Sequence, residues 1–116
     1  MVSLEDICVY IPNVTRLRTY PTHVTQNSFK KICDLFSSKK INIIKWSLGK
    51  VDGPLNAKDY LTFLQKCGSH NFDARFSVCF QSNVSINEIM EFNITVKSEI
   101  RKWPASKPRF VCTIAH

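Results

Sequence analysis

The hydrophobic residues of this 116-residue chain repeat with two different periods, and this is what most restricts the possible folds. A period of two predicts a strand, and spacing at i, i+3, i+4 and i+7 predicts an amphipathic helix. The most regular alternation covers residues 72–80, where one face carries Phe72, Ala74, Phe76, Val78 and Phe80. The other face is polar. This pattern is typical of an antiparallel sheet with helices on one side.

Further alternating or β-branched segments predict additional strands over residues 6–11, 14–20, 41–48, about 92–100 and 109–115. Pro12-Asn13 and Pro21 end the first two. In the second strand, Arg16 and Arg18 share one face. Residues 49–54, with two glycines and a proline, predict a loop.

Two helices are predicted from apolar residues at helical spacing. The first, after Thr25, has the stripe Phe29, Ile32, Cys33 and Phe36, and Lys30, Lys31 and Asp34 lie opposite. The second begins at the N-cap Asn56 and ends at Gly68; its stripe is Ala57, Tyr60, Leu61, Leu64 and Cys67. Ser85 and Glu88 form a capping-box pattern, which indicates a short third helix over 86–91 or, alternatively, a simple loop.

The predicted fold is therefore α+β: a single compact domain with a mixed or antiparallel sheet and two to three helices. A length of 116 residues suits one domain, and no linker or internal repeat divides the chain. The chain has no apolar run long enough for a transmembrane helix and no basic leader at its start. Its five cysteines are odd in number and contain no CxxC, which favours reduced thiols. We therefore expect a cytoplasmic or nuclear protein.

The net charge is +7, and its distribution along the chain is uneven. Residues 13–51 contain eight cations and one acid, and residues 97–116 contain five cations and one acid; the remaining segments are each mildly acidic. An asymmetry of this kind favours an anionic partner, such as nucleic acid, an acidic membrane surface or an acidic protein. The alternative is a lysine-rich surface that is merely solvated.

Aromatic residues are interleaved with these cations, as in proteins that bind single strands without sequence readout. Phe29 and Phe110 are better explained as core residues, and Trp103, in a basic segment broken by prolines, is expected to be partly exposed. The predicted anion-binding residues are Arg16, Arg18, Lys30, Lys31, Lys39, Lys40, Lys45, Trp46, Arg101, Lys102, Trp103, Lys107 and Arg109.

The sequence contains no convincing catalytic or metal-binding motif. Cys67 and His70, with Cys79 further on, form the one metal-like spacing, but a second ligand pair is missing. Neither His23 nor His70 has a recognisable catalytic context with a cysteine. Acids are few and dispersed. We expect no enzyme activity, no metal and no cofactor.

In its small size, basic charge and unpaired cysteines, the chain is similar to compact viral accessory or matrix-type proteins, although no motif carries this resemblance. The first hypothesis is a non-enzymatic module that binds nucleic acid, RNA or DNA, or another polyanion through a basic surface. The alternative is a structural or interaction protein that acts on anionic membranes or acidic protein partners. A homo-oligomer is possible if strand 6–11 or 109–115 forms an open sheet edge.

Overall fold

The computed structural model describes residues 2–36, 42–68, 73–104 and 107–115. In that part of the chain helices and strands alternate without exception. The elements in chain order are α1 (Leu4–Val9), β1 (Arg16–Thr19), α2 (Ser28–Phe36), β2 (Lys45–Val51), α3 (Ala57–Cys67), β3 (Arg75–Phe80), α4 (Ile86–Arg101) and β4 (Arg109–Ile114).

The four strands form one sheet in the order β1-β2-β3-β4, and every pairing is parallel. The α+β prediction holds at the level of helices and strands in one globule, but the predicted mixed or antiparallel sheet is wrong, as is the number of helices. The half-polar strands suggested antiparallel pairing because parallel sheets are usually covered on both faces. Here the helices of the described ranges cover only one face, so a parallel sheet also carries half-polar strands.

The helices form a single layer on one side of the sheet. Crossovers between parallel strands are almost always right-handed, so a strand order that never reverses places each connecting helix on the same face. Trp46, Phe76 and Phe80 of the sheet are fully buried against that layer. The ring centroids of Trp46 and Phe63 are 5.0 Å apart, and those of Phe80 and Phe92 are 5.7 Å apart. The core therefore lies between two layers, in agreement with a shortest molecular dimension of 20 Å.

The strands begin at residues 16, 45, 75 and 109, so successive strands start 29, 30 and 34 residues apart. The molecule is thus a short array of αβ units, each packed against its neighbour, the arrangement found in solenoid proteins. No repeat is visible in the sequence, because the units share a spacing of their strands but hardly any residue identities.

Two segments predicted as strands are helices. Residues 6–11 belong largely to α1, where the Ser3 side chain accepts a hydrogen bond from the Asp6 N–H and caps the helix. Leu4 and Cys8, one helical turn apart, are fully buried. Residues 92–100 belong to α4, whose buried residues are Ile89, Phe92, Val96 and Ile100. Ile94 fitted the strand pattern, yet it is exposed in the helix.

The other corrections concern element ends. β2 starts at Lys45 and continues to Val51, so half of the predicted loop 49–54 is strand. Ile43 forms only an isolated bridge with Gly68. The predicted short helix 86–91 extends to Arg101, and Ser85 precedes it without a side-chain cap bond.

The two helices predicted from apolar stripes are confirmed as α2 and α3. Asn56 caps α3 by accepting a hydrogen bond from the Asp59 N–H at 3.0 Å. Gly68 follows α3, and a Cβ there would lie 2.7 Å from the Leu64 carbonyl oxygen, so only glycine fits without a shift. Strands β1, β3 and β4 lie within the predicted segments 14–20, 72–80 and 109–115. Phe72 and the helix end at residues 37–40 lie outside the described residues.

Candidate functional site

A row of four cations crosses the uncovered face of the sheet. Arg16 pairs in register with Lys45, Lys45 with Arg75, and Arg75 with Arg109. Each is the first residue of its strand, and each is exposed. Neighbouring strands lie about 4.8 Å apart, so the row extends over about 14 Å along the amino-terminal edge of the sheet.

The next row towards the carboxyl ends is smaller and mostly uncharged. Arg18 pairs with Ser47, Ser47 with Ser77, and Ser77 with Val111. The Ser77 hydroxyl donates to the Ser47 hydroxyl at 3.1 Å. Short side chains in the centre, with longer cations around them, leave a shallow and polar floor. In the described part of the chain no helix covers this floor.

All charged residues within the four strands are cations, namely Arg16, Arg18, Lys45, Lys50, Arg75 and Arg109. Like charges at directly paired positions of a sheet repel each other and destabilise it. The three ion pairs found between described residues involve none of these six side chains. The row therefore has an electrostatic cost that a bound polyanion would relieve.

A cleft of about 410 Å³ lies beside the row, at the amino-terminal edge of the sheet. Arg16, Lys45 and Arg75 line it together with Ile44, Ala74 and Asp73. Three cations against one carboxylate leave the cleft positive. Its shape and charge suit a phosphate or another small anionic group.

Comparison with known protein families, with curated proteins and with solved structures finds no match to this chain.

The predicted site residues are divided among different parts of the molecule. Arg16, Arg18, Lys45 and Arg109 lie together on the uncovered sheet face. Arg101 is the last residue of α4, and Lys102 and Lys107 lie in the connection that leads into β4; the Lys107 ammonium donates to the Arg101 carbonyl oxygen at 3.3 Å. Lys107 precedes Arg109, the β4 residue of the row, by two positions.

Lys30 and Lys31 do not join that surface. Both are exposed on α2, in the helix layer on the other side of the sheet, and Lys31 lies 3.8 Å from a Glu5 carboxylate oxygen. Lys30 and Lys31 therefore do not form one surface with the strand cations, since consecutive elements here lie in different layers. Lys39 and Lys40 lie outside the described residues.

The two predicted tryptophans differ in environment. Trp46 has no exposed surface and packs edge-on against Phe63, so it is a core residue and cannot contact a ligand in this structure. On a strand that alternates, Trp46 lies on the face opposite Lys45, its neighbour in sequence. Trp103 is partly buried against the core, in line with the expected partial exposure.

Arg75 is a candidate site residue that charge distribution along the chain does not identify. It lies in the mildly acidic middle of the chain, where acids outnumber cations. A signal was nevertheless available, because Arg75 lies on the polar face of the most regular strand pattern. Only strand pairing shows that it is in line with Lys45 and Arg109.

A second polar cluster lies at the carboxyl ends of β1 and β2. The Asp52 carboxylate accepts hydrogen bonds from His23 Nδ1 at 2.5 Å and from the Val24 N–H at 2.9 Å. Partial burial alone would raise the pKa of Asp52, but these hydrogen bonds outweigh it and hold the pKa below its ordinary value. No serine, threonine or cysteine side chain in the described ranges hydrogen-bonds to His23. The pair therefore acts as a link between the loop before α2 and the end of β2.

The cysteines are all unpaired, and Cys8, Cys33 and Cys67 are buried among the helices. Burial raises the pKa of the Cys8 thiol to about 12 and that of Cys33 to about 11. Over the described residues, which leave out His70, no group of three or more histidine, cysteine or acidic side chains could hold a metal ion. No helix in the same part of the chain is long and apolar enough to cross a membrane.

Proposed function

We propose that this protein is a non-enzymatic module that binds nucleic acid through the uncovered face of its parallel sheet. The observation that carries the proposal is the row Arg16, Lys45, Arg75 and Arg109, four cations in register on adjacent strands. Affinity would come from neutralisation of phosphates and release of their counterions. A cytoplasmic or nuclear location belongs to the proposal and is supported by the five unpaired thiols.

The character of the face favours nucleic acid over a membrane surface. Its second row has two serine hydroxyls at the centre, and Val111 is the single large apolar side chain among the register-paired outward positions of the strands. Peripheral membrane proteins combine cations with an apolar surface that enters the lipid. A floor of serines bordered by arginines instead suits a strand of phosphates.

The test is a pair of double variants with the same change in charge. In the first, Lys45→Ala and Arg75→Ala remove the centre of the row; in the second, Lys30→Ala and Lys66→Ala remove exposed lysines from the helix layer. Binding of a labelled oligonucleotide is measured from low to moderate salt. We expect the first variant to bind more weakly, with a salt slope reduced by about two units. We expect the second to stay close to wild type at about 0.15 M salt, where the Debye length is about 8 Å, because its lysines lie on the far side of a molecule 20 Å thick.

Thermal unfolding provides a control for folding. Because removal of two row cations relieves repulsion, the first variant should melt no lower than the wild type. Equal loss of binding in both double variants would contradict a site on the sheet face. No salt-dependent binding of any oligonucleotide by the wild type would overturn the proposal, and binding only to anionic lipid vesicles would replace it with the matrix-like alternative.

A further inference from the structure

An exposed aromatic ring lies beside the cations of the sheet face. Tyr20 directly follows β1, two residues beyond Arg18, and its surface is 66% exposed. Alternation along an extended chain places it on the same side as Arg16 and Arg18. The Cα atoms of Arg18 and Tyr20 are therefore about 7 Å apart along the chain.

Gly49 of β2 provides the space for this ring. A Cβ at Gly49 would lie 2.6 Å from Tyr20 Cδ2, closer than real contacts allow. Any other residue would push the tyrosine away from the sheet. The glycine therefore positions the ring against the backbone of β2, although glycine weakens the interior of a strand.

The next residue, Lys50, reaches the same ring through an irregularity in β2. The register between β2 and β3 shifts between Leu48 and Val51, both of which are buried against the helices. The two intervening residues form a bulge, in which Lys50 adopts a left-handed φ of 46°. Its Nζ lies 5.3 Å from the centroid of the Tyr20 ring. Strained backbone and bulges of this kind concentrate at functional sites.

A ring that is mostly exposed, seated on a glycine and flanked by cations, suits a flat aromatic ligand that carries negative charge. Nucleobases stack on tyrosine rings, and every base has a face to offer, so this contact is independent of sequence. The bases of a duplex are stacked on one another and are not free to do so. The feature therefore distinguishes a single strand from a duplex.

We propose that Tyr20, seated on Gly49 and flanked by Arg18 and Lys50, stacks a base of single-stranded nucleic acid bound on the sheet face. This inference rests on the proposed function and adds the class of nucleic acid to it. The Lys50 ammonium leaves the ring when a base arrives and contacts the adjoining phosphate. Arg18 contacts the phosphate on the side of the cation row.

The experiment compares two ligands that differ only in their bases. One is a labelled single-stranded DNA 12-mer, and the other is an abasic phosphodiester strand of the same length and charge. We expect Tyr20→Leu to weaken binding of the base-bearing strand about tenfold and to leave binding of the abasic strand unchanged. Tyr20→Phe keeps a stacking ring and should retain most of the affinity.

Two further variants act as controls. Tyr10→Leu removes a tyrosine that is 83% exposed at the end of α1, outside the sheet, and should bind both strands like the wild type. Gly49→Ala keeps the tyrosine and displaces it, so it should reduce binding of the base-bearing strand selectively; thermal unfolding shows whether it is folded.

The outcomes separate the two proposals. A wild type that binds neither strand overturns the proposed function and this inference together. A wild type that binds both strands, with Tyr20→Leu weakening both equally or neither, leaves the proposed function intact and overturns base stacking on Tyr20. Tighter binding of a duplex than of the single strand also overturns it.

Discussion

At the scale of single residues, the core contains a tyrosine whose hydroxyl group is buried. Tyr60 is fully buried and packs against Phe29, Phe92 and Phe110, at centroid distances between 4.9 and 5.6 Å. Its hydroxyl has no hydrogen-bond partner among the described residues. Burial raises the pKa of this phenol far above its ordinary value, so it stays neutral. A buried hydroxyl without a partner loses its hydration and gains nothing in return.

We therefore predict that Tyr60→Phe stabilises the protein. The change removes only the hydroxyl and preserves the ring contacts, so the free energy of unfolding should rise by about 1 kcal/mol. Urea unfolding followed by circular dichroism measures it, and Tyr10→Phe, at an exposed site, should have no effect. A less stable Tyr60→Phe protein would mean that the hydroxyl is hydrogen-bonded in solution.

At the scale of elements, the reliability of sequence patterns depended on how many buried positions each element contains. α2 and α3 each bury at least five residues, and their stripes identified them. α1 has only six residues, and a short segment fits a period of two almost as well as one of 3.6. In α4 the β-branched residues Ile94 and Val96 favoured a strand, but packing of Phe92 and Val96 in the core outweighed that local preference.

For β3 the predicted orientation of the two faces is confirmed, and a substitution tests its energetic weight. Phe76 is fully buried, and its ring packs edge-on against that of Phe63, with the two ring centroids 6.4 Å apart. Phe76→Ala leaves a cavity between sheet and helices, so it should lower the free energy of unfolding by about 3–5 kcal/mol. Chemical denaturation provides the measurement. A loss below about 1 kcal/mol would contradict the close packing of these two layers.

At the scale of the whole molecule, the two-layer arrangement separates four of the five cysteines into two classes, and the fifth, Cys112 of β4, is half-buried. Cys8, Cys33 and Cys67 come from three different helices and are buried in the helix layer. Cys79 lies on the uncovered sheet face and is partly exposed. Thiols with raised pKa values that are shielded from solvent react only when the layers separate.

We therefore predict that alkylation of the native protein modifies Cys79 first and the three helix-layer cysteines only at the rate of unfolding. The modified sites can be mapped by mass spectrometry after short exposures to iodoacetamide. In denaturant without reductant, five free thiols should titrate. Recovery of fewer than five would mean that a disulfide exists and would contradict an intracellular location.

Many residues of the candidate site could be predicted from the sequence. Which of them lie together on one surface could not. Charge counting identified Arg16, Arg18, Lys45 and Arg109, and alternation showed that Arg16 and Arg18 share a face. The predicted site also included Trp46, which is buried. Charge counting could not separate Lys30 on a helix from Lys45 on the sheet. A charge total along the chain contains no information on which layer a residue occupies.

The sequence by itself determined the local features: the stripes of α2 and α3, the cap at Asn56, the two faces of β3 and the excess of cations. These depend on neighbours within a few residues, so they can be inferred from spacing alone. Only the tertiary structure decided that the strands are parallel and that every helix lies on one side. It alone brought Arg75 into line with residues about 30 positions away, and Tyr20 onto Gly49. Strand pairing joins residues distant in the chain, and the spacing of side chains within one strand does not specify its partner.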